Sequence, residues 1–137
     1  MANKINIAVI LSLYKNSKLS ELKRAIISID KQEKKRLDLL ICFDGYVRKE
    51  IEVFLKKFKQ KKAINKMIIF KNETNRGLAF SLNKLILYNF SNYKYYVRHD
   101  CDDYSHKNRV NKLVDFLDKN ENIDIVGSSS KSFFKSS

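Results

Sequence analysis

The chain has 137 residues, of which 44% are hydrophobic and 31% charged, a balance that excludes a disordered segment and is typical of one folded domain with a substantial core. Its formal net charge of +13 favours anionic partners, namely nucleotide phosphates, acidic lipid headgroups or nucleic acid, or else reflects a composition that is simply rich in lysine. We find no apolar run near the ~20 residues that a membrane span needs and no signal-peptide layout, so we expect a cytoplasmic protein in which Cys42 and Cys101 are free thiols.

Apolar runs and amphipathic helical patterns alternate along the chain. The runs are rich in aliphatic, β-branched and aromatic residues and are bounded by polar ones, which predicts buried strands. Between the runs, apolar residues recur at three- and four-residue steps, which predicts amphipathic helices. Strands are predicted at residues 5–11, 37–43, 67–70, 95–98 and 123–127, and helices at 19–29, 47–58, 78–90 and 110–117.

Strands and helices that alternate with short connections are the signature of βαβ units. We therefore predict an α/β fold with a mostly parallel sheet, helices on both faces and a single domain over residues 1–137. Ser17 is the expected N-cap of the first helix. The tail, residues 128–137, is predicted to be either a short further strand or a strand whose partners lie beyond the chain end.

The fourth predicted strand, Tyr95–Arg98, leads directly into three carboxylates, Asp100, Asp102 and Asp103. In an open α/β sheet, ligands bind outside the carboxyl ends of the strands. Three neighbouring carboxylates repel one another and raise each other's pKa unless a cation lies among them, and carboxylate oxygens suit Mg²⁺ or Mn²⁺. The sequence thus points to a divalent metal site, and the alternative is an acidic turn that caps the next helix.

The loops after the other strands also carry residues suited to a ligand. Ser12 and Tyr14 follow the first strand, Asp44 follows the second, and Asn75 and Arg76 follow the third. Because the carboxyl ends of parallel strands share one edge, these side chains can converge. An aromatic ring can stack on a base, a carboxylate can accept a hydrogen bond from a base N–H, and a guanidinium can pair with phosphate. We therefore predict a nucleotide site in which metal-bound carboxylates bridge to a diphosphate.

In order and spacing, several of these pieces resemble the N-terminal, nucleotide-sugar-binding portion of a family 2 glycosyltransferase with the GT-A fold. The resemblance extends from Ile5 to about Ser129, almost the whole chain. No single piece is specific, but their order and spacing together are. The pieces are 12–16 (SLYKN), 41–45 (ICFDG), 75–83 (NRGLAFSLN), 98–103 (RHDCDD), 108–109 (NR) and 123–128 (IDIVGS).

The resemblance implies transfer of a sugar from a nucleotide diphosphate donor, commonly UDP-linked, to a hydroxyl of a saccharide or lipid-linked acceptor. It also implies surface polysaccharide or lipopolysaccharide assembly, with peripheral contact to the anionic inner face of the cell membrane. Asp100-Cys101-Asp102 is similar to the family's DXD motif, which holds Mg²⁺ or Mn²⁺ against the diphosphate. Asp102 is then the first choice for direct metal contact, and Asp100 lies nearer the ribose or uridine.

By the same resemblance, the donor-binding residues are Ser12, Tyr14, Asp44, Arg76 and Asp100, and the metal ligands are Asp102 and Asp100. Asp103 and Arg109 either support the site from behind or begin and brace the following helix, and for Arg109 we favour the structural role. Asn83 either supports the nucleotide loop or packs on it as a helix residue.

The chain departs from the family pattern in three loops. Leu13 and Lys107 stand where the family usually has proline, and Phe43 replaces the first of two carboxylates, which leaves Asp44 alone. The carboxylate base of inverting members is not found, since Glu73 and Asp124 are poorly placed for it. We therefore expect the donor-binding half of an enzyme, which binds nucleotide and metal but transfers sugar poorly or not at all.

Three other interpretations of these residues fit the sequence less well. An aspartate-nucleophile phosphotransferase carries its Asp-x-Asp pair on the first strand, where this chain has none. A zinc site built from Cys42, His99, Cys101 and His106 lacks paired ligand spacing. A non-catalytic, basic nucleotide- or nucleic-acid-binding α/β module remains as the main alternative, although no nucleic-acid docking motif is present.

Overall fold

The computed structural model describes residues 4–88 and 90–132, in which four strands alternate with four helices. The elements are β1 (Ile7–Leu13), α1 (Leu19–Asp30), β2 (Leu37–Asp44), α2 (Lys49–Lys57), β3 (Ile64–Asn72), α3 (Leu78–Tyr88), β4 (Tyr95–Arg98) and α4 (Arg109–Lys119). The strands form one sheet in the order β3-β2-β1-β4, and each neighbouring pair is parallel. The predicted α/β class with a parallel sheet is confirmed.

The central position of β1 and β2 in the sheet explains why their sequences are nearly unbroken aliphatic runs. β1 and β2 each have a strand on both sides, and all eight residues of β2 are buried. Val9 of β1 lies opposite Leu39 on one side and opposite Val97 on the other. A parallel strand that is covered on both faces needs apolar residues at nearly every position.

Helices pack on both faces of the sheet, as predicted. α1, α2 and α4 cover one face, where Leu22, Ile51 and Val114 join the larger core cluster. α3 covers the opposite face, where Leu85 packs against Leu40 and its neighbours. Each strand is thus followed by a helix that returns the chain to the start of the next strand, so the carboxyl ends of all four strands share one edge. Among the described residues, no helix has the length and apolar character needed to cross a bilayer.

Two local predictions differ from the structure. β3 extends beyond residues 67–70 because pairing with β2 continues from Leu37↔Ile64 to Asp44↔Asn72, so that backbone hydrogen bonds recruit polar residues at both ends. Ser17 is not the N-cap of α1. The cap residue is Lys18, and the buried Ser17 hydroxyl instead accepts a hydrogen bond from the Tyr14 N–H at 3.0 Å.

The predicted fifth strand is wrong for the described residues. Residues 123–127 form no strand, and Ile125 is 89% exposed. An apolar run becomes a strand only where a neighbouring strand satisfies its backbone groups, and this run finds none among the described residues. The predicted tail strand is likewise absent at residues 128–132, and residues 133–137 lie outside the described part of the chain.

Candidate functional site

The carboxyl edge of the sheet opens into a cleft of about 450 Å³, which we call the donor cleft after the nucleotide donor that the sequence analysis predicts for these residues. The end of β2 and the loops that follow β1, β3 and β4 all contribute to its wall, as does the first turn of α1. The predicted residues that line it are Ser12, Tyr14, Asp44, Asp100 and Asp102, and the further lining residues are Asn16, Ser17, Glu21, Asn75, Gly77, Leu78 and Cys101. The parallel sheet therefore brings together side chains that are up to 90 residues apart in the chain.

Asp44 is the most heavily bonded side chain of this cleft, and it is only 3% exposed. Its Oδ1 accepts the Arg76 N–H at 2.6 Å and the Asn72 amide at 3.1 Å, and its Oδ2 accepts the Gly77 N–H at 2.9 Å. Burial alone would raise the pKa of Asp44, but these hydrogen bonds outweigh it and hold the pKa below its ordinary value. Asp44 therefore fixes the loop after β3 against the end of β2.

Gly45 makes this approach of the two loops possible. Its φ is +76°, and a Cβ at this position would lie 2.8 Å from the backbone nitrogen of Asn75. Gly77 also has a positive φ, +96°, but an added Cβ there would meet no atom within 4 Å. The first glycine is thus required by close packing as well as by backbone conformation, and the second by conformation alone.

We expect Gly45→Ala to lower the free energy of unfolding by about 2–3 kcal/mol, because it adds a clash with backbone to left-handed strain. Gly77→Ala is expected to cost about 1 kcal/mol from strain alone. Gly127→Ala is the matched control, since an added Cβ there meets no atom within 4 Å. Urea unfolding of the three variants measures this order, and equal losses for Gly45→Ala and Gly77→Ala would contradict the close approach of the loops.

The acidic segment follows β4 along the rim of the donor cleft. The Arg98 guanidinium pairs with Asp100, with Nε–Oδ1 at 3.2 Å and a second contact at 3.4 Å to Oδ2. Asp102 is exposed and lines the cleft, whereas Asp103 lies outside the lining and its N–H closes a turn onto the Asp100 carbonyl. Of the two carboxylates of this segment that line the cleft, Asp100 is thus paired with an arginine and Asp102 faces solvent.

The described residues contain no group of three or more His, Cys, Asp or Glu side chains that could hold a metal ion. Asp100 and Asp102 nevertheless fit a Mg²⁺ or Mn²⁺ whose remaining ligands come from substrate phosphates and water, since such ions are commonly held by one or two carboxylates. The zinc alternative does not fit. Cys42 is buried in the core under α3, and Cys101 packs against the cluster on the other face of the sheet.

Besides Asp103, three predicted residues lie outside the lining of the donor cleft. The Arg76 guanidinium stacks 4.2 Å above the ring of Phe80, and Asn83 is exposed on α3. The Arg109 guanidinium donates a hydrogen bond to the Arg98 carbonyl at 3.2 Å, which ties α4 to the end of β4. Burial lowers the pKa of Arg109 from its ordinary value, and the carboxylates of Asp103 and Asp100 oppose that shift.

His99 is buried between these groups. Its Nδ1 lies 2.8 Å from the Asp100 carbonyl, so this nitrogen donates, and its Nε2 finds no hydrogen-bond partner among the described residues. Burial lowers the pKa of His99 below its ordinary value. The ring therefore acts as a neutral support that orients the backbone of Asp100.

Glu21 and Ser17 are site residues that the sequence prediction missed. Glu21 belongs to the first turn of α1. This turn lies at the carboxyl edge of the sheet because α1 leads from the end of β1 to the start of β2. The Cys101 thiol donates a hydrogen bond to the Ser17 hydroxyl, with Sγ and Oγ 3.7 Å apart. A prediction that followed the start of each helix, in addition to the end of each strand, could have found both residues.

Comparison with known proteins identifies a consistent set of relatives. The model of the family described as "Glycosyl transferase family 2" matches residues 8–136. The chain is 37% identical over 112 residues to the bifunctional glycosyltransferase pgtA of Dictyostelium discoideum, covering 79% of this chain and 14% of that protein. It is 33% identical over 121 residues to an uncharacterized glycosyltransferase of Methanocaldococcus jannaschii, covering 88% of this chain and 40% of that protein.

Solved structures share the fold at lower identity. TarS of S. aureus in complex with UDP-GlcNAc matches with a TM-score of 0.69 at 18% identity, over 85% of this chain and 32% of that one. The mannosyltransferase PcManGT from Pyrobaculum calidifontis, in complex with GDP-Man and Mn²⁺, matches with a TM-score of 0.68 at 14% identity, over 84% of this chain and 33% of that one. The predicted GT-A fold is confirmed. The chain spans less than half the length of the curated relatives named above.

Proposed function

Because this chain belongs to glycosyl transferase family 2, we propose that it provides the donor and metal site for transfer of a sugar from a nucleotide diphosphate sugar, most simply a UDP-sugar. The observation that carries the proposal is the donor cleft, in which the ends of all four strands meet around Asp100 and Asp102. Its volume of about 450 Å³ lies within the range of small-ligand sites.

The donor is assigned to the cleft by the chemistry of its wall. Tyr14 offers a ring on which a base can stack, and Asp44 lies at the end of β2, the strand next to the one that Tyr14 follows. Both Asp44 oxygens already accept protein N–H groups, and we propose that a lone pair of this carboxylate also accepts a base N–H. UDP is the favoured nucleotide because UDP and UDP-GlcNAc occupy TarS in its complexes, although PcManGT holds GDP-Man.

The diphosphate is assigned to the part of the cleft that follows β4, which β1 separates from β2 in the sheet, with Asp102 as the proposed metal ligand and Asp100 assisting it. A bound Mg²⁺ or Mn²⁺ there would neutralise the charge that develops on the leaving diphosphate. Arg98 holds Asp100 in place by its paired contacts, and the Asp44-bound loop positions Asn75 and Gly77 along the donor. These residues orient the donor before reaction and exclude water from one side of it.

The acceptor is proposed to be a saccharide or lipid-linked hydroxyl in surface polysaccharide or lipopolysaccharide synthesis. We assign no general base within this chain, because Asp44, Asp100 and Asp102 are committed to donor, metal or structure, and Glu21, the remaining carboxylate of the lining, lies 3.9 Å from the Lys18 ammonium. The chain alone is therefore proposed to bind donor without efficient transfer.

Thermal unfolding in the presence of a nucleotide panel tests the proposal. UDP, UDP-GlcNAc and GDP-mannose are compared, each with Mn²⁺ and with a chelator. We expect the melting temperature to rise with at least one uridine nucleotide, and to rise more in Mn²⁺ than in chelator, because binding to the native state alone stabilises it. No shift with any nucleotide in either condition would refute a donor site.

A further inference from the structure

A second cleft, of about 340 Å³, lies at the opposite edge of the sheet from the donor cleft. It is formed where α1 ends, where the chain enters β3, and where the loop after the acidic segment approaches α4. Its wall carries Lys31, Lys62 and Lys107 together with Glu33, Tyr104 and His106, and we call it the basic cleft. None of these residues belongs to the donor cleft.

The first wall of the basic cleft is fixed by a buried carboxylate. Asp30, at the end of α1, is 6% exposed, and it accepts the N–H groups of Lys61 at 2.8 Å, Lys62 at 3.3 Å and Ile64 at 3.0 Å. The loop that carries Lys62 is therefore held against the end of the helix that precedes Lys31. Two lysines that are 31 positions apart in the chain are set on the same rigid frame.

The second wall is fixed by a buried amide. Gln32 is 1% exposed, and its Nε2 donates to the His106 carbonyl at 2.8 Å while its Oε1 accepts the Val110 N–H at 3.0 Å. The Glu33 N–H also donates to the Lys107 carbonyl at 2.9 Å. Buried polar groups that are fully hydrogen-bonded specify one arrangement of the backbone, so the third lysine is positioned as firmly as the other two.

The charges of the cleft are not balanced by its own residues. Lys107 pairs with Glu33 at 3.4 Å, whereas Lys31 and Lys62 make no ion pair with another described residue. Further exposed cations flank the cleft on the same loops, at Lys34, Arg36 and Lys61. The ammonium groups around the concave wall and the phenol of Tyr104 offer hydrogen-bond donors to an anion. Glu33 is the carboxylate of the lining that competes with the anion for these donors.

We propose that the basic cleft binds a phosphate group, either of a small phosphorylated anion or of a phospholipid headgroup. Lysine ammoniums are compact charges that bind phosphate without the planar geometry that arginine demands. Anionic membrane surfaces attract such clusters by about 1 kcal/mol for each basic residue close to the surface. The basic cleft shares no lining residue with the donor cleft, so an anion bound there contacts none of the residues assigned to the donor.

The test compares two double variants that carry the same charge change. Lys31→Glu with Lys62→Glu alters the basic cleft, whereas Lys56→Glu with Lys57→Glu alters exposed lysines in the last turn of α2 that do not line it. Inorganic phosphate is titrated against each protein by NMR, and co-sedimentation is measured with vesicles of phosphatidylcholine alone or with added phosphatidylglycerol. Thermal unfolding checks that both variants fold.

Saturable binding of phosphate that weakens at least 10-fold in the first variant only would support a small-anion site. Binding to phosphatidylglycerol vesicles with the same dependence, and no saturable binding of phosphate, would support a headgroup site. Equal losses in the two variants would assign the attraction to the overall charge of the molecule and overturn the proposal. Absence of binding to either probe would also overturn it.

Discussion

Asp44→Ala is expected to lower the free energy of unfolding by about 4 kcal/mol and to abolish nucleotide binding. The carboxylate is buried and accepts three hydrogen bonds, from the Arg76 N–H, the Gly77 N–H and the Asn72 amide. Hydrogen bonds to a charged group contribute roughly 1.5–3 kcal/mol each, and their loss is partly offset because the freed loop can hydrate. Binding is lost as well because Asn75 and Gly77, which the carboxylate positions, line the donor cleft.

Urea unfolding at neutral pH measures the loss, and Asp115→Ala is the matched control. Asp115 is a half-exposed aspartate of α4 that pairs with Lys35 at 3.4 Å, so its removal is expected to cost less than about 1 kcal/mol. The loss of unfolding free energy in Asp44→Asn is expected to lie between those of the two alanine variants. The amide keeps one acceptor oxygen but turns an N–H₂ towards a backbone N–H. If Asp44→Ala proved as stable as Asp115→Ala, the carboxylate would not be the connection between the two loops.

Asp102→Ala is expected to remove the metal-dependent part of nucleotide affinity. In calorimetric titrations with UDP, we expect affinity in Mn²⁺ to fall by about 100-fold, towards the value measured in chelator, while the free energy of unfolding changes little. The reason for the small stability effect is that Asp102 is exposed and makes no ion pair with another described residue.

Asp103→Ala provides the control for charge. It removes the neighbouring carboxylate, with the same change in net charge, but this residue does not line the donor cleft. Its structural contact to the Asp100 carbonyl is made by the backbone and survives the substitution. Comparable losses of Mn²⁺-dependent affinity in the two variants would argue for a diffuse acidic attraction instead of a specific ligand.

The central part of the fold follows from local pattern because its environment is uniform. β1 and β2 are surrounded on all sides, so burial alone dictates their composition and periodicity suffices to find them. At the edges of the sheet and at strand ends, the local sequence pattern does not predict the structure. Residues 123–127 have the composition of a strand but no neighbouring strand in the described chain, and β3 gains residues that its own sequence would not assign to a strand.

The donor cleft was predictable in outline because parallel strands bring their carboxyl ends to one edge. Its details depend on contacts that no spacing encodes. Asp44 was predicted to accept a base N–H, and no spacing indicates that it also accepts the Arg76 and Gly77 N–H groups of the loop after β3. Arg76 was expected to face phosphate, yet its guanidinium lies over Phe80.

The basic cleft shows the same dependence on distant contacts. In the sequence, Lys31, Lys62 and Lys107 are three separate basic positions. Their arrangement depends on Asp30 and Gln32, whose hydrogen-bond partners lie more than 30 and more than 70 positions away. Side-chain bonds that span such separations follow from the packed fold and cannot be derived from local periodicity.

The most direct test of the account is a crystal structure of the chain grown with UDP and Mn²⁺. We predict a metal ion about 2.1 Å from an Asp102 carboxylate oxygen and in contact with both phosphates, with the uracil ring beside Tyr14. Nucleotide bound at another surface, or a metal ion that touches neither Asp100 nor Asp102, would contradict the account.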